Sequence, residues 1–261
     1  MSVSRHISAD YFQPPSDSFW RRWHFTLLPL VHQYEGTLAR FQRKLGVTTR
    51  KRVIQKVTCD GATCNMVMED VPETFTSHPH SSSNAVHTLF AVASELGNEP
   101  YYALWATSTA ILLDARVSLP LLILWALGMY IGQFLKDNLR LPRPGLFPET
   151  IDTTQDKQKQ KQPTKPSASP SDVPVIRLET KYAAEFGFPS THALGAFSLP
   201  MLTLLFMLFR YEVQSPIACG LWAALQLFWM FVTPVSRLYR GVHSFLDIVG
   251  GSLIGFVLAI V

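Results

Sequence analysis

Charge is scarce in this chain: 16% of its 261 residues are charged, against roughly a quarter in an average soluble domain. Apolar residues fill the gap, at 48%, and they come in long blocks. That composition excludes an ordinary soluble domain and points to membrane-embedded helices. Cysteine is scarce too. Cys59, Cys64 and Cys219 do not make a disulfide framework; Cys59 and Cys64 in CDGATC could pair in an oxidising compartment, but free thiols are the expectation. The net charge of +4 is modest, and the basic residues are not arranged for reading nucleic acid. The start, MSVSRHISADYFQPPSDSFW, lacks an apolar core of signal-peptide length, so insertion is expected to depend on internal segments. There is no internal repeat, and no Cys/His or carboxylate cluster has metal-ligand spacing, so neither metal nor cofactor is expected.

Residues 1–83 read as a polar N-terminal region, with RRWHFTLLPLVHQY an interfacial helix or a buried turn, too short to span. Residues 84–261 read as the membrane core. Asn84 to Leu113 is long enough to cross but carries Glu95, Asn98 and Glu99 part-way along. Polar residues inside an apolar span are costly, so they mark either a functional group or a break between two shorter helices. Clean spans follow at Val117 to Leu135, Ala193 to Phe209 and Pro216 to Val235, with a shorter apolar run from Ile248 to Val261. The first two clean spans are separated by a Lys, Gln, Pro and Ser-rich insert at about 146–173, which reads as disordered. The expected fold is an all-α integral membrane protein, a multi-span helical bundle with its active site at one membrane face.

Counting crossings brings three polar clusters to that face. Lys136 and Arg143 follow the first clean span, Ser190 and His192 precede the second, and Arg237, His243 and Asp247 follow the third. Each cluster alone has a plain explanation, as boundary charges, a helix cap or a surface ion pair. Together they form complementary phosphate chemistry. Lys136, Arg143 and Arg237 suit a dianion, Ser190 adds a hydroxyl donor, and a helix starting at 190 offers its amides and dipole. His243 and Asp247, four apart and so on one helical face, suit a nucleophile with an orienting carboxylate. His192 can protonate a leaving alkoxide. Arg240 reads as an exposed boundary charge, with a place at the site as the alternative.

These residues resemble the three-part signature of the type 2 phosphatidic acid phosphatase superfamily. Its parts here are Lys136, six residues, Arg143-Pro144; Pro189-Ser190-Thr191-His192; and Ser236-Arg237, five residues, His243, three residues, Asp247. The resemblance implies metal-independent hydrolysis of phosphate monoesters. Lys136, Arg143, Ser190 and Arg237 would hold the phosphate, His243 would form a phosphohistidine, Asp247 would orient it, and His192 would be the general acid. Thr191, where many relatives carry glycine, together with ELGNEPYY and MYIGQFLKDNLRLPRP, looks like the sphingosine-1-phosphate phosphatase branch. That branch implies a phosphorylated sphingoid lipid as substrate, the endoplasmic reticulum membrane, and a lumenal site.

Such enzymes usually continue through further spans after the third motif, so the resemblance also implies a chain cut short at its C-terminus. Two other functions fit the same residues: a broader lipid phosphate or polyprenyl-diphosphate phosphatase, and an inactive truncated homologue that binds phosphate. A vanadium-dependent peroxidase shares this type of anion site but fits poorly with a chain built of spans. Basic residues in the first 83 positions suggest a cytoplasmic N-terminal region, which one crossing over 84–113 would put on the site's side. A break near Glu95 to Asn98 removes that conflict.

Overall fold

A computed structural model of the chain describes residues 5–8, 13–47, 53–60, 63–70, 84–98, 100–102, 104–105, 107, 115–145, 175–179, 185–210 and 216–261. The insert at about 146–173 and Glu99 lie outside these. The membrane core is helical, as the hydropathy pattern requires. Helix α3 (Ala115–Leu139), α4 (Thr191–Arg210) and α5 (Pro216–Tyr239) form a bundle with the shorter α6 (Phe245–Ile260). Among the described residues, three helical stretches are long and apolar enough to cross a bilayer: Arg116–Leu139, Thr191–Phe209 and Cys219–Tyr239. The chain is a multi-pass membrane protein.

Helix α4 is the hub, packed against α3, α5 and α6. Glycines let α6 come close: a Cβ at Gly251 would collide with the Ser190 carbonyl, and one at Gly255 with the Leu194 carbonyl. Small residues at such a seam replace the hydrophobic effect, which is weak between helices in lipid, with close backbone contact. The core holds Tyr102, Leu121, Leu124, Ala196, Leu199 and Trp229. Leu119, Ile123, Tyr130, Leu221, Phe231 and Leu253 remain exposed on the outside of the bundle, which is where acyl chains would cover them.

The helices run past the limits set by hydropathy alone. Helix α3 continues through Lys136 to Leu139 and stops at Arg140, which takes a left-handed φ of 50°. Helix α5 continues through Ser236 and Arg237, despite Pro234. Lys136 and Arg237 therefore sit on the last turns of spans, while Arg143 and His243 lie in the loops after them.

Three features of the first 98 residues differ from the sequence reading. Helix α1 (Ser18–Lys44) is a 27-residue helix capped by Asp17, longer than the apolar run FTLLPLV suggested. Strands β1 (Arg5–Ser8), β2 (Val53–Asp60) and β3 (Thr63–Asp70) form an antiparallel sheet in the order β1-β3-β2, an addition to the helical bundle. Helix α2 (Asn84–Glu95) ends at Glu95, and a turn at 96–98 separates it from the helical residues that follow. Its 12 residues extend about 18 Å, well short of the roughly 30 Å hydrocarbon layer. The chain breaks where its polar residues lie.

Helix α1 belongs with the core rather than with a separate polar region. His24 Nδ1 donates to the Leu139 carbonyl at 2.7 Å, and Glu35 accepts from the Gly145 amide at 2.6 Å. Gln42, 1% exposed, donates to the carbonyls of Ile176 (2.7 Å) and Tyr239 (3.0 Å) and accepts from the Ile176 amide at 3.1 Å.

Candidate active site

The C-terminal ends of α3 and α5 and the N-terminal ends of α4 and α6 meet at one end of the bundle. One cavity there is lined by Lys136, Arg143, Thr191, His192 and His243, with Gly97, Asn98, Tyr102 and Glu185. Ser190, Arg237 and Asp247 lie behind this lining, each 0% exposed. Every residue that the sequence assigned to the phosphate site is thus at this one end.

His243 and Asp247 do meet, at 3.3 Å between Nδ1 and Oδ2, but not across a helical face. His243 precedes the helix and Ser244 is its N-cap. Asp247 is the N3 residue of a capping box: Ser244 Oγ accepts from the Asp247 amide at 3.1 Å, and Asp247 Oδ2 accepts from the Ser244 amide at 2.7 Å. The reciprocal cap holds the carboxylate beside the ring. With Nδ1 donating to that carboxylate, the other nitrogen, Nε2, presents its lone pair 3.5 Å from Arg143 Nη1. Burial, and then the charges of Arg143, Arg237 and Lys136, hold His243 well below the ordinary imidazole range. The ring is therefore neutral near pH 7, the form in which Nε2 is a nucleophile.

The cations are held rigidly. Arg143 donates from Nε to the Glu185 carbonyl and from Nη1 to the Val242 carbonyl, both at 2.9 Å. Lys136 Nζ and Arg143 Nη2 each lie 3.4 Å from Glu185 Oε2, whose side chain is 44% exposed. Arg237 Nη1 donates to Ser94 Oγ at 2.6 Å and pairs with Glu179 at 3.0 Å. Two carboxylates from the segment before Ser190 thus balance buried positive charge, which would be costly if left uncompensated. Ser190 Oγ accepts from the Ala193 amide at 3.3 Å, capping α4.

Arg240 is not an exposed boundary charge. Its side chain is 18% exposed and pairs with Glu179 at 3.3 Å and Glu95 at 3.5 Å. Asn98 accepts from His192 at 3.0 Å between Oδ1 and Nε2. The polar group inside the apolar 84–113 stretch was the sequence signal for this contact. Glu179, Glu185, Ser94, Glu35 and Gln42 carried no such signal, because their partners are 42 to 197 residues away.

A family model described as the PAP2 superfamily matches residues 117–261. The chain is similar to sphingosine-1-phosphate phosphatase 2 of Mus musculus, 38% identical over 172 residues that cover 65% of this chain and 40% of the relative. It is also similar to sphingosine-1-phosphate phosphatase 1 of Mus musculus, 34% identical over 180 residues covering 69% and 35%. The chain therefore spans 40% or less of the length of these two relatives. Its fold is similar to that of the transmembrane PAP2 type phosphatidylglycerolphosphate phosphatase from Bacillus subtilis, with a TM-score of 0.51, 13% identity, and coverage of 93% of this chain and 91% of the other.

Proposed function

Because this chain belongs to the PAP2 superfamily, we propose that it hydrolyses sphingoid-base 1-phosphates to the sphingoid base and phosphate at the membrane surface. The observation that carries the reading is His243, held between the Asp247 carboxylate at Nδ1 and the Arg143 guanidinium at Nε2. A simple anion-binding site needs the cations but no neutral, oriented nucleophile. The names of the similar mouse proteins support the substrate class.

In this mechanism the substrate dianion takes the place of the Glu185 carboxylate on Lys136 and Arg143, with Arg237 and Ser190 completing the cradle. His243 Nε2 attacks phosphorus; the P–N bond forms as the bond to the lipid oxygen breaks. The departing oxygen takes a proton from His192, giving the free alcohol. Water then attacks the phosphohistidine, His192 accepts its proton, and the P–N electron pair returns to His243 as phosphate forms. Thr191 lines the cavity next to His192, while Arg240 supports Glu179 and Glu95 from outside it. We place the site on the lumenal face of the endoplasmic reticulum membrane, as the resemblance to the sphingosine-1-phosphate phosphatase branch implies.

The test is phosphate release from sphingosine 1-phosphate and phosphatidic acid, with chelator present, in membranes lacking other lipid phosphatases. Chelator-resistant release favouring the sphingoid substrate, abolished by His243→Ala, is the expected result. Equal release from both lipids overturns the substrate class. No release by a properly inserted chain overturns the enzyme reading in favour of a phosphate-binding homologue.

A further inference from the structure

The turn after α2 touches the proposed proton donor, although it lies outside the three motifs. Asn98 Oδ1 stands 3.0 Å from His192 Nε2. Its amide orientation is set by chemistry: Nδ2 meets Glu95 Oε2 at 2.5 Å, and a carboxylate oxygen accepts a hydrogen bond, so the amide carbonyl must face the ring. Glu95 is in turn paired with Arg240 at 3.5 Å, Arg240 with Glu179 at 3.3 Å, and Glu179 with Arg237 at 3.0 Å. The turn also fits closely against the ring. A Cβ at Gly97 would stand 2.5 Å from His192 Cδ2 and 3.0 Å from Thr233 Cγ2, so glycine is what lets the chain close on the imidazole.

We propose that Asn98 is a positioning residue for the general acid, holding the His192 ring with a proton on Nε2, so that Nδ1 is the nitrogen that exchanges a proton with the leaving oxygen. A carbonyl acceptor on Nε2 requires a proton on that nitrogen and selects the ring orientation. The bond strengthens when the ring is charged, which is the state a proton donor must reach. Glu95 holds the amide, and Arg240 holds Glu95. The break in the 84–113 stretch is then the device that delivers Asn98 to the site. This inference rests on the phosphatase reading and on His192 as its acid.

The test compares two long-chain phosphate esters, sphingosine 1-phosphate and an alkyl-substituted nitrophenyl phosphate. The second has a leaving group that needs no proton. Asn98→Ala is expected to lower kcat/KM on the first by roughly ten- to a hundred-fold, part of the 10²–10⁴ that general-acid catalysis supplies, with a much smaller loss on the second. His192→Ala gives the same selectivity in larger degree, and the double variant is no slower on sphingosine 1-phosphate than His192→Ala alone. Glu95→Ala, which touches neither ring nor phosphate, gives a weaker form of the same selective loss. Equal losses on both esters, or additive losses in the double variant, overturn the role of Asn98 while leaving the phosphatase reading intact. An active wild type with an unaffected His192→Ala overturns the acid and Asn98 with it. A wild type inert on both esters overturns the functional reading itself.

Discussion

His243 illustrates how a single residue's chemistry follows from its neighbours. Burial and three cations favour the neutral ring. A neutral nucleophile is active above its folded pKa and lost as pH falls through it, so a lowered value moves that loss below the usual imidazole range around pH 6.5. The acid limb of kcat/KM is therefore expected below pH 6.5. The substrate's own second ionisation, near pH 6, also falls in that window, so a limb above 6.5 contradicts the assignment whichever group sets it. Asp247 has two duties that substitutions can separate. Asp247→Ala loses both the cap, at about 1 kcal/mol, and the orienting carboxylate, lowering kcat by roughly a hundred-fold or more. Asp247→Asn keeps an oxygen for the Ser244 amide but not the charge, so melting temperature recovers while kcat stays low. The four-residue spacing foretold the His243–Asp247 contact, although not its form. A helical face brings positions four apart together, and so does a capping box for the residue just before its N-cap; only Ser244 at the N-cap distinguishes them.

At the level of elements, the spans were readable because each is a long apolar run, and their polar ends because boundary charges stand out against it. Helix α1 was harder. Its apolar face is short, and what fixes it to the core is a set of polar contacts to residues 110 to 197 positions away, which no local pattern encodes. The β2–β3 hairpin did leave a local sign, Gly61 between two runs that carry Val, Ile and Met, obscured by the polarity around it. Gln42 ties α1 to both the loop at Ile176 and the end of α5 at Tyr239. Gln42→Ala leaves these buried groups unpaired, at about 1–3 kcal/mol. A lower melting temperature in detergent checks this, and an unchanged one contradicts α1 as a clamp on the site. Gly251→Val presses a side chain into the Ser190 carbonyl and is expected to lower both folded yield and activity, because α6 carries Asp247 while Ser190 opens α4.

For the whole molecule, Gly145 and Val175, the described residues that flank the insert, lie at the same end of the bundle as the site. Helix α1 lies there too, through Glu35 on Gly145 and Gln42 on Tyr239. Orientation then becomes a single question for both segments. Glycosylation acceptor sequences introduced near residue 13 and within the insert are expected to be modified together or not at all. Modification of one alone contradicts the packing of α1 on the site's face. The sequence left this open because positive charge near the N-terminus argued one way and crossing parity the other. The contacts of α1 at the site's end side with crossing parity and against the charge count, and α2 stays at that end too, leaning on α5 through Phe90 and Tyr239, stacked at 4.6 Å.

In this mechanism phosphate passes through His243, where it can be trapped. The full chain, in membranes, is mixed with sphingosine 1-phosphate carrying labelled phosphate, quenched within the first turnovers, and digested. The expected result is acid-labile, base-stable label on the peptide that contains His243, absent from His243→Ala. Steady turnover with no label on that peptide would contradict it.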